Sequence, residues 1–285
     1  MIGSNKKRRG SSGNESSIID DRKNILTEKS DFFMREAYKT LRTNVNFSLA
    51  DAEGCKVLLM TSSFQGEGKS ITALNLAISL VEDGNRVLLV DCDLRRPKLG
   101  RLVQIARQNG LSDLLINPEL LKETVCAYRE GLDIILAGRI PPNPSELLGS
   151  QAMANLILSM RKKYDYIILD TPPVNMVTDS AVLAGRSDGV LFVVRANQSE
   201  RGAVIHAVEQ LDYVKAKVLG FILNGVSTEG ASYGKYRYKR YGHYGYGRYK
   251  AYGYGYESAQ PSSAGDVRTE ENGASRVQTR TAETE

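Results

Sequence analysis

Residues 63–70 read Ser63-Phe64-Gln65-Gly66-Glu67-Gly68-Lys69-Ser70, and this stretch decides how the chain should fold. An apolar run, KVLLMTS, precedes it at 56–62, and a helical pattern follows it from residue 69. The stretch fits the phosphate-binding loop pattern G-x-x-x-x-G-K-[ST], with a serine in place of the first glycine. A Gly-rich turn that merely starts a helix is the alternative. The order of strand, loop and helix favours the phosphate-binding interpretation.

The residue types in this loop suit a nucleoside triphosphate. Gly66 and Gly68 let the backbone wrap closely, so that successive N–H groups point at phosphate oxygens. Lys69 is expected to reach the β- and γ-phosphates, and the Ser70 hydroxyl to ligate Mg²⁺. Together with Glu67, these residues form the predicted phosphate-binding part of a nucleotide site.

Short apolar runs alternate with helical patterns through the rest of the central block. The apolar runs are continuous, which is typical of strands covered on both faces, and they lie at 56–62, 86–91, 132–136, 165–170, 189–195 and 217–223. The helical patterns lie at 32–50, 69–83, 145–163 with a break near Gly149, 178–186, and 199–213 with Ser199 as N-cap. The alternation predicts an α/β fold, a doubly wound and mostly parallel sheet with helices on both faces. Ligands bind such sheets at the carboxyl ends of the strands.

Two further strand ends are acidic. Asp91 and Asp93 follow the second apolar run, and Asp170 ends the run at 165–170. Carboxylates beside a core are costly unless they hold a cation, and in a phosphate-loop protein that cation is Mg²⁺. Each acidic end alone could simply cap the next helix. Three strand ends that agree with one nucleotide–Mg²⁺ site make the metal interpretation the stronger one.

Composition sets the domain organisation. The chain has 285 residues, 41% apolar and 25% charged, which excludes a wholly disordered or collagen-like chain. We expect a mobile polar segment at 1–30, one domain at 31–228, a Tyr/Gly/basic segment at 229–256 and a disordered polar tail at 257–285. Three cysteines, an odd number and none in a CxxC pair, indicate neither a disulfide framework nor a zinc site. Without a long apolar run, the chain is expected to be a cytoplasmic protein.

Ten of the 15 tyrosines crowd into residues 229–256. They are Tyr233, Tyr236, Tyr238, Tyr241, Tyr244, Tyr246, Tyr249, Tyr252, Tyr254 and Tyr256. The segment also holds six Lys or Arg residues and one Glu, so it carries a charge of +5. Taken alone, such a segment could stack on single-stranded nucleic acid. Beside a nucleotide site, this nucleic-acid interpretation is less favoured.

The motifs together resemble those of the bacterial tyrosine kinases, a P-loop NTPase family with a deviant Walker A motif. Residues 62–70 are similar to their Walker A motif, 90–97 to their Walker A′ motif and 167–173 to their Walker B motif. Gln65 stands where the family commonly has proline. The resemblance covers about residues 30–256 and is strongest to the soluble kinase subunits of Gram-positive capsule and exopolysaccharide systems.

The resemblance implies an ATP- and Mg²⁺-dependent protein-tyrosine kinase with the following site residues. Lys69, Asp91 and Asp93 would be catalytic, Ser70, Asp91 and Asp170 would coordinate Mg²⁺, and Asn224 would contact the nucleotide base. The clustered tyrosines would be phosphorylated in trans between subunits. Capsule or exopolysaccharide synthesis would be the process that the kinase regulates.

The resemblance also implies partners. A separate membrane polysaccharide copolymerase would activate the kinase and recruit it to the inner face of the membrane, and a cognate tyrosine phosphatase would oppose it. Glu36, Lys39 and Arg42 resemble the family's E-x-x-R-x-x-R motif, which joins subunits into a ring. On helical spacing alone, they could equally form a solvated face. No nucleic-acid partner is expected.

An ATP-driven positioning switch, similar to partition or septum-placement ATPases, is the main alternative function. Those proteins share the deviant loop and usually place a signature lysine where this chain has Phe64. The septum-placement type also ends in an amphipathic membrane helix, which the Tyr/Gly segment cannot form.

Overall fold

The computed structural model describes residues 21–226, which fold around one seven-stranded sheet. The strand order is β3-β4-β2-β5-β1-β6-β7. The strands are β1 (Lys56–Ser62), β2 (Val87–Asp91), β3 (Val125–Arg129), β4 (Leu132–Ile135), β5 (Tyr166–Asp170), β6 (Gly189–Arg195) and β7 (Val218–Asn224). All neighbouring strands pair in parallel except β3, which runs antiparallel to β4 at one edge. This confirms the predicted doubly wound, mostly parallel α/β fold.

In the part of the chain that the structure describes, nine α-helices and one short 3₁₀ segment accompany the strands, besides a helical stretch at residues 21–23. The helices are α1 (Phe32–Ser48), α2 (Lys69–Val81), α3 (Leu99–Val103), α4 (Leu111–Ile116), α5 (Leu121–Thr124), α6 (Pro144–Gly149), α7 (Gln151–Met160), α8 (Asp179–Ala184) and α9 (Arg201–Tyr213), with the 3₁₀ segment at Pro118–Leu120. The predicted helix at 145–163 is divided into α6 and α7 at Ser150, as the glycine beside it suggested. Within residues 21–226, no helix combines the length and apolar character needed to cross a membrane.

Side chains of the central strands alternate between two hydrophobic cores, one on each face of the sheet. Val57 and Leu59 of β1 enter one core, whereas Leu58 and Met60 enter the other. All five residues of β5 are buried. Because each fully buried aliphatic side chain contributes roughly 1.5–3 kcal/mol, this double cover holds the central strand ends rigidly in place. The candidate site residues at the carboxyl ends of these strands are therefore held in fixed positions.

The structure differs from the sequence predictions at two places. The edge strand β3 was not predicted, because its apolar stretch, Val125 to Tyr128, is short, and of its five residues only Cys126 is fully buried. Ser199 is not the N-cap of α9, since that position belongs to Glu200, whose side chain makes no capping bond. The Ser199 hydroxyl instead turns toward the phosphate-binding loop.

Part of the N-terminal segment that was expected to be mobile packs against α2. Leu26 is 2% exposed, and its N–H donates to Asn75 Oδ1 at 2.7 Å. The Asn75 side chain also donates to the backbone oxygen of Asn24 at 2.8 Å. The folded unit therefore begins before the predicted boundary at residue 31.

Candidate active site

The strand register brings the predicted acidic residues together at the carboxyl edge of the sheet. Asp91 ends β2 and lies directly opposite Asp170, which ends the neighbouring strand β5. Asp170 is also aligned with Met60 of β1, the strand that leads into residues 63–70. The phosphate-binding loop and both strand-end carboxylates therefore meet on three adjacent strands, as the sequence predicted.

The loop at 63–70 adopts a conformation that requires glycine at two positions. Gly66 and Gly68 have φ angles of +83° and +91°, a region that side-chain-bearing residues rarely adopt. A Cβ atom on Gly68 would lie 1.9 Å from Asn224 Nδ2. The backbone N–H groups can therefore curl around a bound anion at the start of α2.

The Glu67 carboxylate holds this loop together from within. The side chain is 1% exposed. Its Oε1 accepts a hydrogen bond from Ser63 Oγ at 2.8 Å, and its Oε2 accepts one from the N–H of Phe64 at 2.8 Å. Ser199 Oγ, from the loop between β6 and α9, also donates to Oε1. The Glu67 side chain thus holds the loop in its conformation. The sequence motif predicts only that the backbone of this loop contacts phosphate, so this role of the side chain was not expected.

Two further residues tie the loop to the ends of β6 and β7. Asn224 Nδ2 donates to the backbone oxygen of Glu67 at 3.0 Å. Arg195 Nη1 donates to the backbone oxygen of Gly66 at 3.0 Å. Asn224 therefore lies beside the loop as expected, and its contact with a nucleotide base stays a prediction. The motif search missed Arg195 and Ser199 because both are joined to the loop only by tertiary contacts.

The carboxylates of this edge are strongly perturbed by burial. Asp91 and Asp170 are each 1% exposed. Burial, followed by the negative charges of Asp170 and Asp93, raises the pKa of Asp91 well above its ordinary value. Burial also raises the pKa of Asp170 to about 6, although the positive charge of Lys69 and a hydrogen bond from Ser70 oppose this. Such crowding of buried anions is typical of a site that receives a cation.

Lys69 lies in the same electrostatic environment. Its ammonium group is almost fully buried, and burial lowers its pKa, while the negative charges of Asp170 and Asp93 act against this. Burial likewise raises the pKa of Asp93, against hydrogen bonds from the backbone and the charge of Lys69. The lysine is therefore held among carboxylates at the mouth of the phosphate loop, where its charge can meet a phosphate.

The donor set fits Mg²⁺. The Oδ1 atom of Asp170 is buried and has no hydrogen-bond partner among the described residues, which is costly unless a ligand completes it. Asp91 is fixed by N–H groups of Asp93 and Leu99, each donating to one of its oxygens at 3.2 Å. No three His, Cys, Asp or Glu side chains between residues 21 and 226 form a complete metal cage. Mg²⁺ does not need one, since it usually takes one or two carboxylates plus phosphate oxygens and water.

Cations that the motif search did not single out complete the cleft above the loop. Arg96, Lys98 and Arg195 line it together with Lys69, Ser70 and Asp93. Asp21, from the N-terminal segment, also lines it. Several positive charges beside the loop give it the electrostatic character that a triphosphate needs.

The predicted interface residues lie on α1. Lys39 pairs with Glu36 at 2.8 Å on the helix surface. Arg42 donates to the backbone oxygen of Ser79 at 2.5 Å and lies 3.3 Å from Asp83, so it braces α1 against the end of α2 in the same chain. A role for these three residues between subunits stays a prediction. The ten clustered tyrosines lie outside the described residues.

Comparisons with known proteins agree with this geometry. A family model described as an AAA domain matches residues 55–219. The chain is 38% identical over 206 residues to the tyrosine-protein kinase YwqD of Bacillus subtilis, covering 72% of this chain and 86% of that protein. It is 38% identical over 212 residues to the putative tyrosine-protein kinase EpsB of Ralstonia nicotianae, covering 71% of this chain but 28% of that protein. The kinase domain of Escherichia coli tyrosine kinase ETK superposes with a TM-score of 0.66 at 30% identity, covering 78% of this chain and 80% of that one.

Proposed function

The chain belongs to the bacterial tyrosine-protein kinases, and from this membership we propose that it transfers the γ-phosphoryl group of ATP to tyrosines of its own segment 229–256. The observation that carries the proposal is the buried, unpartnered Oδ1 of Asp170. It lies beside Asp91 in the strand register and one strand away from the phosphate-binding loop. An orphaned carboxylate oxygen at this point supports Mg²⁺ and a triphosphate as the missing ligands.

Different residues of the site would bind the phosphates, the Mg²⁺ and the base. N–H groups of the loop at 66–70 would hold the β- and γ-phosphates, and Lys69 would neutralise their charge. Ser70, Asp91 and Asp170 would hold Mg²⁺, directly or through water. When bound, the ion would polarise the γ-phosphate and offset the charge that develops during transfer. Asn224, whose side chain donates to the backbone oxygen of Glu67, would contact the base.

The transfer itself needs a base, because a tyrosine hydroxyl has an unperturbed pKa near 10. The tyrosine oxygen forms a bond to the γ-phosphorus while the bond from that phosphorus to the β–γ bridging oxygen breaks, and ADP leaves. The hydroxyl proton passes to the carboxylate of Asp91. Asp93 supports the site as a second acidic group.

Phosphorylation would act as a charge switch in the process that the kinase regulates. Residues 229–256 start at +5, and each phosphate adds about −1.5 to −2, so ten phosphates would add roughly −15 to −20. We extend the proposal to capsule or exopolysaccharide synthesis, with a separate membrane activator, a ring of subunits in which tails are phosphorylated in trans, and an opposing phosphatase. The 28% coverage of the longer EpsB supports a partner role, since the kinase region there is joined to much additional chain.

Mass spectrometry after incubation with Mg·ATP tests the proposal. Phosphate should accumulate on the tyrosines of 229–256 in the native chain. Lys69→Met, or Asp91→Ala combined with Asp93→Ala, should abolish it without unfolding the protein. Lys162→Gln removes a charge from an exposed residue ahead of β5, at the opposite edge of the sheet, and should leave phosphorylation intact. Persistent labelling of the Lys69→Met protein would overturn this role for the site. ATP hydrolysis without any phosphotyrosine would favour the positioning-switch function instead.

A further inference from the structure

A second concave surface opens beside the phosphate pocket and is strongly positive. Its lining includes four cations and two apolar residues, namely Arg95, Arg96, Lys98, Arg101, Pro97 and Ile140. We call this surface the cationic groove. Among the residues that the structure describes, no carboxylate lines it, although an exposed protein surface normally intersperses charges of both signs. The groove therefore favours an anionic ligand.

Two of these cations have no acidic partner in the described part of the chain. Arg95 makes a two-bond contact with the buried carboxylate of Asp179, at 2.9 and 3.0 Å, so its charge is largely balanced. By contrast, Arg96 donates to the neutral side chain of Gln65 at 2.9 Å, and Arg101 makes only a long bond of 3.4 Å to the backbone oxygen of Pro97. Neither forms an ion pair within residues 21–226.

The groove is continuous with the phosphate pocket. Gln65, Arg96 and Lys98 line both surfaces, so a ligand in the groove would lie next to the bound triphosphate. The groove also has an apolar side, where Ile140 is 65% exposed. Guanidinium groups bind phosphate through paired hydrogen bonds, and an aromatic ring packs on aliphatic carbons. Cations beside an apolar surface match a phosphate attached to an aromatic ring better than they match inorganic phosphate.

We propose that the cationic groove binds phosphotyrosine, and that its occupant is an already phosphorylated tyrosine of the segment 229–256 of a second copy of the chain. This inference rests on the proposed function, which makes that segment the phosphate acceptor. Charge complementarity selects the occupant. The unmodified segment carries +5 and would be repelled by the groove, whereas each added phosphate contributes about −1.5 to −2 and makes its own stretch attractive.

Tyrosine spacing gives the groove a role in catalysis. Successive tyrosines from Tyr233 to Tyr256 are two or three residues apart. In an extended chain that separation spans about 7–11 Å, a distance suited to two adjoining surfaces that share residues. A phosphotyrosine held in the groove would keep the next tyrosine beside the nucleotide. The first phosphorylation of a tail would then be slow, and later ones would follow without release of the tail.

Peptide binding tests the groove directly. The full-length Lys69→Met protein keeps its own tail unphosphorylated. The probe is a fluorescent peptide of residues 238–250, with or without phosphate on Tyr241 and Tyr244, and its anisotropy reports binding. We expect the phosphopeptide to bind at least about ten-fold tighter than the unmodified peptide, because charge-assisted hydrogen bonds are the strong ones. Phenyl phosphate should compete with it more effectively than inorganic phosphate does.

Matched variants locate the binding surface. Adding Arg101→Gln should weaken phosphopeptide binding about ten-fold, and Arg101→Lys should weaken it less because it keeps the charge but loses the paired geometry. Lys162→Gln removes one exposed charge from the opposite edge of the sheet and should change binding less than about two-fold. Equal binding of the two peptides, or equal losses in Arg101→Gln and Lys162→Gln, would overturn the inference. So would Arg101-dependent binding of single-stranded DNA or phosphatidylserine vesicles that matches or exceeds binding of the phosphopeptide.

The order of phosphorylation provides an independent readout in the active chain. Early in the reaction, mass spectrometry of the native protein should show some highly phosphorylated tails while most of the other tails still carry no phosphate. In the Arg101→Gln chain, the same total phosphate should spread over a ladder of partly phosphorylated tails. An identical distribution in both would overturn the catalytic role of the groove. Failure of the kinase proposal is distinguishable, because the synthetic phosphopeptide would still bind a chain that transfers no phosphate.

Discussion

Removing the Ser199 hydroxyl should loosen the phosphate-binding loop, although no residue of the nucleotide motif itself is substituted. Ser199 Oγ donates to the buried Glu67 carboxylate and accepts the N–H of Arg195 at 2.8 Å. A hydrogen bond to a charged group contributes about 1.5–3 kcal/mol, and water can replace part of it because the contact is only partly buried. Ser199→Ala should therefore cost about 2 kcal/mol of unfolding free energy.

Thermal unfolding and nucleotide titration measure the two consequences separately. For a domain of this size, 2 kcal/mol corresponds to a Tm lower by about 4–8 °C. If the freed loop must be reordered for binding at a cost of about 1 kcal/mol, the Kd for a fluorescent ATP analogue rises about five-fold. Ser199→Thr keeps a hydroxyl, so its Tm and its Kd for the ATP analogue should lie close to those of the native chain.

Ser187→Ala is the matched control, since its hydroxyl bonds to the backbone oxygen of Ala184 at 2.9 Å at the far end of α8. It should lower the Tm slightly and leave the Kd unchanged. The reasoning fails if Ser199→Ala lowers the Tm while nucleotide affinity stays that of the native chain. In that event the hydroxyl stabilises the fold but does not order the loop.

Three other substitutions probe the site and its surroundings. Gly68→Ala should weaken nucleotide binding at least about ten-fold, because a left-handed φ costs roughly 1–2 kcal/mol in a side-chain-bearing residue and the new Cβ meets Asn224 Nδ2 at 1.9 Å; titration with the fluorescent analogue measures this. Asp170→Asn should raise the Tm of the metal-free protein at pH 8. Burial raises the pKa of that carboxyl to about 6, so at pH 8 the buried group is ionised and destabilises the fold. In the same thermal melts, the stability that Mg·ATP adds to the native chain should be absent from the variant. Asp113→Asn should lower the stability instead of raising it. Burial alone would raise the pKa of Asp113, but hydrogen bonds from Arg139 and Gly110 outweigh that effect and lower the pKa. The stability from that carboxylate is present above its unfolded pKa and is lost as pH falls through its lower folded pKa. Urea unfolding should therefore show the variant weaker than the native chain at pH 7, and the difference should vanish as acid protonates Asp113 in the folded state.

The strand ends of the site could be predicted because their signals are local. Asp91 and Asp170 each follow a continuous apolar run, and a parallel sheet brings such ends to one edge. The phosphate loop is likewise contained in eight consecutive residues. For the same reason, the sequence alone gave the fold class correctly and most strand bounds to within one residue.

Contacts between distant segments could not be predicted in this way. Ser199 and Glu67 are 132 positions apart, and the helical pattern made Ser199 look like a cap. Arg42 lies on the predicted side of α1, but nothing local reveals that the end of α2 lies within its reach. The edge strand β3 carried a weaker signal, a short partly apolar stretch followed by Gly131 with φ +78° in the turn to β4.

The sheet order divides the active site into two halves, one on each side of β5. On one side, hydrogen bonds of Glu67, Arg195 and Asn224 join the ends of β1, β6 and β7, and we propose that this half holds the nucleotide. On the other side, the loop after β2 carries Asp91 and the cationic groove, and Arg95 anchors it to the buried Asp179 of α8. The two halves meet where Asp91 lies opposite Asp170 and where Arg96 donates to Gln65 of the phosphate-binding loop at 2.9 Å. Changes at Glu67, Arg195 or Asn224 should therefore alter nucleotide affinity, whereas changes at the groove residue Arg101 should alter how an acceptor tyrosine is presented to a bound nucleotide.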